Sequence, residues 1–163
     1  MPTSLPRELT RPVMVGSVQI GGGAPVVVQS MTCTPTSDTE ATLNQIRALA
    51  DGGCDVVRVT LPNRAAIDSF KAICEASPVP IIADIHFDYR LAIAAIDAGA
   101  AKLRINPGNI GSWEKVDAVI DAAGAAGAAI RIGVNAGSLE EDLASRDDLT
   151  QPEKLVASSL RFV

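Results

Sequence analysis

Apolar and polar positions along the chain follow two periods in turn. Five short runs read as strands: Val26 to Ser30, Asp55 to Leu61, Pro80 to His86, Lys102 to Asn106 and Ala129 to Asn135. Each is rich in β-branched residues or bounded by Gly, Pro, Asn or Asp. Their first residues lie 29, 25, 22 and 27 positions apart. In the intervals the apolar spacing changes to three and four, as in Leu43, Ile46, Leu49 and Ala50, and then in Ala66, Ile67, Phe70 and Ile73, the signature of amphipathic helices. Asp38 is placed to cap the first helix and Gly52-Gly53 to stop it; Asn63 is placed to cap the second, which ends before Pro78. A third helix follows Tyr89, and a fourth runs from about Trp113 to Gly127. Thr150-Gln151-Pro152-Glu153 has the spacing of a capping box with proline in the first turn, and so opens a fifth. Ahead of the repeat, Val13 to Val15 and Ser17 to Ile20 read as a hairpin, with Gly21 to Gly23 leading into the first long strand.

Five βα units predict an α/β fold of one of two kinds. A doubly wound, flavodoxin-like sheet is complete with five strands and is covered by helices on both faces, so its strands are apolar on both. A (β/α)8 barrel turns one face to its helices and the other to a lumen. Residues two apart share a strand face, and here the faces differ. Val57 and Val59, Ile81, Ala83 and Ile85, Leu103 and Ile105, and Ile130, Ile132 and Val134 make one aliphatic face. The other carries Val56, Arg58 and Thr60, then Ile82, Asp84 and His86, then Lys102, Arg104 and Asn106, then Arg131, Gly133 and Asn135. The pattern predicts a partial TIM (β/α)8 barrel: the hairpin plus the first five units, with residues 1–163 forming the N-terminal portion of a barrel domain. A partial barrel leaves two sheet edges open, which predicts association.

Composition narrows the function. The length of 163 residues suits a single domain, and 47% hydrophobic with only 3% aromatic residues gives a core of Ala, Val, Ile and Leu rather than disorder. A net charge of −5 without a basic block argues against nucleic acid as partner. No apolar run approaches the roughly 20 residues that span a bilayer. Met1 to Thr10 lacks the apolar stretch of a secretory signal, so a cytoplasmic location is expected. Cys33, Cys54 and Cys74, 21 and 20 residues apart, match neither a disulfide framework nor a metal-binding run, and are expected to be buried, inert thiols.

Against that acidic background the inner face is basic. Arg58, Lys102, Arg104 and Arg131 fall on it, with Asp84 the one inward acid. Cations about 10 Å apart at an effective dielectric near 20 repel by about 1.7 kcal/mol per pair, or about 10 kcal/mol over all the pairs. Asp84 offsets part of this, and a ligand with several negative charges offsets the rest. Guanidinium forks suit phosphate oxygens, so a diphosphate is the simplest such ligand. His86, the single histidine, stands at the end of its strand two residues after Asp84, where a proton-transfer group is needed. Asn106 and Asn135 end their strands and can orient hydroxyl or phosphate oxygens, and one of Gln29 and Ser30 must face inward. Gly108-Asn109-Ile110-Gly111 and Gly137-Ser138 could add backbone N–H donors there. Two rival readings are a non-catalytic diphosphate-binding barrel module and a Schiff-base aldolase acting through Lys102. The second suffers from the position of Lys102 at the start of its strand, low in the lumen.

The segments Val15-Gly-Ser-Val-Gln-Ile-Gly-Gly, Val28-Gln-Ser-Met-Thr, Ala83-Asp-Ile-His-Phe-Asp-Tyr, Lys102-Leu-Arg-Ile-Asn-Pro-Gly-Asn-Ile-Gly and Ile130-Arg-Ile-Gly-Val-Asn together resemble the 4-hydroxy-3-methylbut-2-enyl diphosphate synthase family, from about Thr10 onward. The resemblance implies an iron–sulfur oxidoreductase of isoprenoid biosynthesis, homodimeric when complete. Its reaction is the two-electron reductive ring opening and dehydration of 2-C-methyl-D-erythritol 2,4-cyclodiphosphate, fed by flavodoxin or ferredoxin. It further implies that Arg58, Arg104, Arg131 and Asn135 grip the diphosphate at a barrel mouth, which Asp84, His86 and Asn106 also line. The resemblance places the family's [4Fe–4S] cluster in a separate C-terminal domain, with three cysteines and a glutamate as ligands, a domain not expected within these residues. The chain's own cysteines lie at three different places, so the isolated chain is expected to have no turnover.

Overall fold

The fold is seen in a computed structural model that describes residues 6–162; Met1 to Leu5, part of the stretch read above for a leader, and Val163 lie outside the described residues. In chain order the main elements are β1 (Val13–Val15), β2 (Val18–Ile20), β3 (Gln29–Met31), α1 (Thr39–Asp51), β4 (Val56–Thr60), α2 (Ile67–Ala76), β5 (Ile81–Asp84), α3 (Tyr89–Asp97), β6 (Lys102–Ile105), α4 (Pro107–Ile110), α5 (Trp113–Ala126), β7 (Ala129–Ile132), α6 (Glu141–Ala144) and α7 (Gln151–Leu160).

Strand order distinguishes the two architectures. β3 to β7 form one parallel sheet in the order β3-β4-β5-β6-β7, with no reversal of direction across the sheet. A doubly wound sheet reverses its strand order at a switch point, whereas a barrel adds each strand beside the last. The sheet is the first part of a TIM barrel, with β3 and β7 at its open edges.

The aliphatic face is buried under the helices. Val57, Val59, Ala83, Ile85 and Leu103 are fully buried against Ile46 of α1, Phe70 and Ile73 of α2 and Val119 of α5. The opposite face is closed at its lower end by the hairpin: Val15 of β1 packs on Val56 and Ile82, with Ala101 and Ala129 against the same cluster. One short strand thus touches inward residues of β4 and β5 and the start of β7, which requires the sheet to curl around it. Gly16 makes the approach possible. Its φ is 57°, and a Cβ there would meet the Pro80 ring at 3.1 Å, so both conformation and contact favour glycine.

The element ends follow local chemistry. The Ala41 N–H donates to Asp38 Oδ1 at 3.0 Å at the start of α1, and Gly127 ends α5 in the left-handed region at φ 67°. The capping box at Thr150 is present: its N–H donates to Glu153 Oε2 at 2.8 Å. Two expectations are corrected. Asn63 makes no side-chain cap; Arg64–Ala66 forms a single 3-10 turn, and α2 begins only at Ile67. The first long strand is Gln29–Met31 rather than Val26 to Ser30, because the Val28 N–H donates to the Asp55 side chain at 2.7 Å instead of to a neighbouring strand.

The cysteines divide. Cys33 is exposed after β3, which corrects the expectation that all three are buried, while Cys54 and Cys74 are partly buried. Burial, with the Glu75 carboxylate beside it, pushes the Cys74 thiol up to about 12. Alkylation follows the thiolate, so iodoacetamide at pH 8 is expected to label Cys33 first and Cys74 last; mass spectrometry of a time course reads the order.

Candidate anion-binding site at the strand ends

Parallel register stacks the inward residues in layers. Met31, Arg58, Ile82, Lys102 and Ala129 are successive partners across the sheet. One step toward the C-terminal ends come Thr60, Asp84, Arg104 and Arg131. His86, Asn106 and Asn135 follow their strands at the top, beyond Asp84, Ile105 and Ile132. All four predicted cations and Asp84 therefore share one face. Gln29 pairs with Val56 and so faces inward, whereas Ser30 pairs with Val57 on the outer face.

Asp84 is the hinge of the electrostatics. Its side chain is 6% exposed, and Oδ1 lies 3.3 Å from Arg104 Nη1 while Oδ2 faces His86 Nε2 at 3.6 Å. Arg104 is 16% exposed and the His86 ring 46%, so the trio runs from the lumen to solvent. Among the described residues, no carboxylate lies within ion-pair distance of Arg58, Lys102 or Arg131. Burial, followed by the charges of Arg131 and Arg58, holds the Lys102 ammonium below its ordinary value, which shows these cations in one another's field. Lys102 and Arg131 also border a cavity of about 460 Å³ beside the hairpin, below the mouth.

The structure gives three residues roles that the sequence pattern did not assign them. Arg58 directs Nε and Nη2 at the Met31 thioether, at 3.3 and 3.1 Å, a weak acceptor that an anion would readily outcompete. Gly133 lies against the Arg104 guanidinium, where a Cβ would come within 2.9 Å of Nε. Ser138 bonds Asn106, which is only 2% exposed. Cross-strand register would have found Met31, and inward periodicity already placed Gly133; Ser138 depends on a loop conformation that no strand pattern carries. One expected donor is already engaged: the Gly108 N–H bonds Asn106 Oδ1 at 3.2 Å. Arg131 and Asn135 are exposed.

Gly133 has no positive φ, so alanine suits its backbone and only the guanidinium must move. Gly133→Ala is expected to weaken diphosphate binding about tenfold, the effect of roughly 1.4 kcal/mol, while shifting Tm by no more than about 2 °C. Calorimetry and thermal melts read the two quantities separately.

The three cysteines do not form a ligand set for a [4Fe–4S] cluster. Cys33 follows β3, Cys54 precedes β4 and Cys74 lies in α2. Among the described residues, no group of three His, Cys, Asp or Glu side chains could hold a metal ion, and no helix is long and apolar enough to cross a membrane.

A family model described as the GcpE TIM-barrel domain matches residues 10–163. The chain belongs to the GcpE family. It is 52% identical over 157 residues to the 4-hydroxy-3-methylbut-2-en-1-yl diphosphate synthase (flavodoxin) of Natranaerobius thermophilus, covering 96% of this chain and 44% of that protein. Identity to the protein of the same name from Magnetococcus marinus is 53%, over 97% of this chain and 43% of the relative. This GcpE chain thus spans less than half the length of these relatives. The dihydropteroate synthase of Yersinia pestis superposes with a TM-score of 0.57 at 12% identity, over 93% of this chain and 59% of the other, a likeness of fold alone.

Proposed function

We propose that this chain is the substrate-binding part of a 4-hydroxy-3-methylbut-2-en-1-yl diphosphate synthase, holding 2-C-methyl-D-erythritol 2,4-cyclodiphosphate at the mouth of the barrel. The observation that carries the reading is the inner face with Arg58, Lys102, Arg104 and Arg131 against a single carboxylate, Asp84. Three guanidinium forks take phosphate oxygens in directed pairs of hydrogen bonds, and Lys102, in the same layer as Arg58, adds a point charge. Asn135, exposed at the rim, orients oxygens there, and Asn106, buried and held by Ser138 and Gly108, offers its remaining N–H. Asp84 holds Arg104 in place, and His86, half exposed beside it, is the group available to move a proton at the mouth.

Holding the cyclodiphosphate in one orientation is this chain's contribution to the reaction. The [4Fe–4S] cluster supplies electrons in the whole enzyme, and the residues here do not fit it, so the reductive step is assigned to no side chain described above. The relatives' name includes flavodoxin, and flavodoxin or ferredoxin as electron donor belongs to the same proposal, as does a homodimer, for the whole enzyme.

Calorimetry with the cyclodiphosphate and with inorganic diphosphate tests the reading. The cyclodiphosphate is expected to bind at least about tenfold more tightly, because rim residues contact the carbon skeleton as well as the phosphates. Equal affinities would instead make the chain a general diphosphate-binding module. Assayed alone with a reduced flavodoxin, it is expected to release no product.

A further inference from the structure

Asn106 follows β6 and Ser138 closes the 3-10 turn Ala136–Ser138 after β7, so a bond between them ties two neighbouring mouth loops. Asn106 Nδ2 lies 2.6 Å from Ser138 Oγ, and the Gly108 N–H lies 3.2 Å from Asn106 Oδ1. The two contacts differ in kind. A backbone N–H only donates, so Gly108 accepts no alternative but the carboxamide oxygen; a hydroxyl both donates and accepts. Gly108 therefore fixes which end of the carboxamide is oxygen, and Ser138 then receives one N–H of the nitrogen. Asn106 retains a second N–H, which makes it a donor toward an oxygen-rich ligand.

We propose that Ser138 is a positioning residue: its hydroxyl holds the Asn106 carboxamide in this one orientation and so presents a hydrogen-bond donor at the mouth. Gly108 is part of the same device, since a Cβ there would meet the Ser138 carbonyl oxygen at 2.8 Å, and the loops could not approach with a larger residue. The proposal rests on the reading of the mouth as an anion site only for its functional consequence; the lock itself is independent of any ligand.

Two measurements separate these parts. In 15N-resolved NMR spectra, the Asn106 side-chain NH2 pair of the wild-type chain is expected to be resolved and slow to exchange with water. Ser138→Ala removes the acceptor and is expected to speed that exchange at least about tenfold, the effect of losing a bond worth about 1.4 kcal/mol. Ser138→Thr keeps the hydroxyl and is expected to restore slow exchange. Equal exchange in wild type and Ser138→Ala overturns the lock, as does failure of the threonine variant to restore it while its backbone spectrum remains that of the wild type.

The second measurement is affinity for the cyclodiphosphate. Ser138→Ala is expected to weaken it about threefold to tenfold, with Ser138→Thr within twofold of wild type and thermal midpoints that do not track the affinities. Asn106→Asp can keep the bond from Gly108 and take one from Ser138, but it turns the donor into a charged acceptor and is expected to weaken binding more than Ser138→Ala. A wild-type chain that binds no cyclodiphosphate would refute the proposed function and, with it, the donor role, while the exchange rates would still decide the lock. Binding unaffected in Ser138→Ala would refute the donor role alone.

Discussion

Arg104→Met is expected to weaken diphosphate binding by at least about 100-fold. Arg104 stands at the centre of the cationic layer, paired in register with Asp84 on one side and Arg131 on the other. A fork on phosphate makes two charge-assisted hydrogen bonds, each worth about 1.5 to 3 kcal/mol, and every 1.4 kcal/mol is about tenfold in affinity. Methionine removes both bonds. It also leaves the Asp84 carboxylate, 6% exposed, facing the incoming anion without its partner. The direct loss and the new repulsion therefore act in the same direction. Arg104→Lys separates charge from geometry: an ammonium restores the charge but not the fork, and is expected to recover about half of the loss in free energy. Calorimetry on the three proteins measures this. Wild-type affinity in Arg104→Met would remove Arg104 from the anion site, and equal affinities for lysine and methionine would mean that charge contributes nothing there.

The barrel was legible in the sequence because its two faces differ. Val57 and Val59 beside Arg58, and Leu103 and Ile105 beside Arg104, are opposite in character at every step, and period two alone places the arginines inside. Strand order then agrees, since β3 to β7 add sequentially. Element ends were less legible where side chains compete for backbone groups. Val26 and Val28 have strong strand propensity, yet both are exposed, and the Val28 N–H is taken by Asp55. Propensity scores a residue's own preference; it does not register a carboxylate 27 residues away that satisfies the same donor.

The site was legible as a set of charges but not as a set of orientations. That Asp84 meets Arg104 follows from a register of neighbouring strands. That Arg58 turns to Met31, that Gly133 leaves space for a guanidinium, and that Asn106 is held through Ser138 depend on rotamers and loop paths. Asn106 shows the difference best. The sequence places it at a strand end, as an open rim residue, whereas the structure buries it to 2% exposure with both ends of its carboxamide engaged.

Asp84→Asn is expected to destabilise the ligand-free chain by about 3 kcal/mol, the low end for breaking one side of a buried ion pair. For a chain of this size that corresponds to a fall in Tm of roughly 6 to 12 °C. The cost arises less from the lost attraction than from what remains. Arg104, 16% exposed, keeps its charge in a lumen that already holds Arg58, Lys102 and Arg131, and burial together with Arg131 and Arg58 already depresses the Lys102 ammonium. The sign of that depression gives a second readout. Lys102 releases its proton at lower pH in the folded chain than in the unfolded one, so through the interval from its lowered value up to the ordinary 10.5 the unfolded state binds more protons. Its contribution to stability therefore rises with pH across that interval. Removing the Asp84 charge adds to the field on Lys102 and is expected to extend the interval downward. A diphosphate ligand supplies the missing negative charge and stabilises the folded state by mass action, so the gap between Asp84→Asn and wild type is expected to narrow when both are saturated. Urea unfolding with and without diphosphate, at pH 7 and pH 9, measures each quantity. A variant as stable as wild type without ligand would show that the cations of the lumen need no internal counter-charge, and a gap that widened with diphosphate would show that Asp84 serves the bound state rather than the empty one.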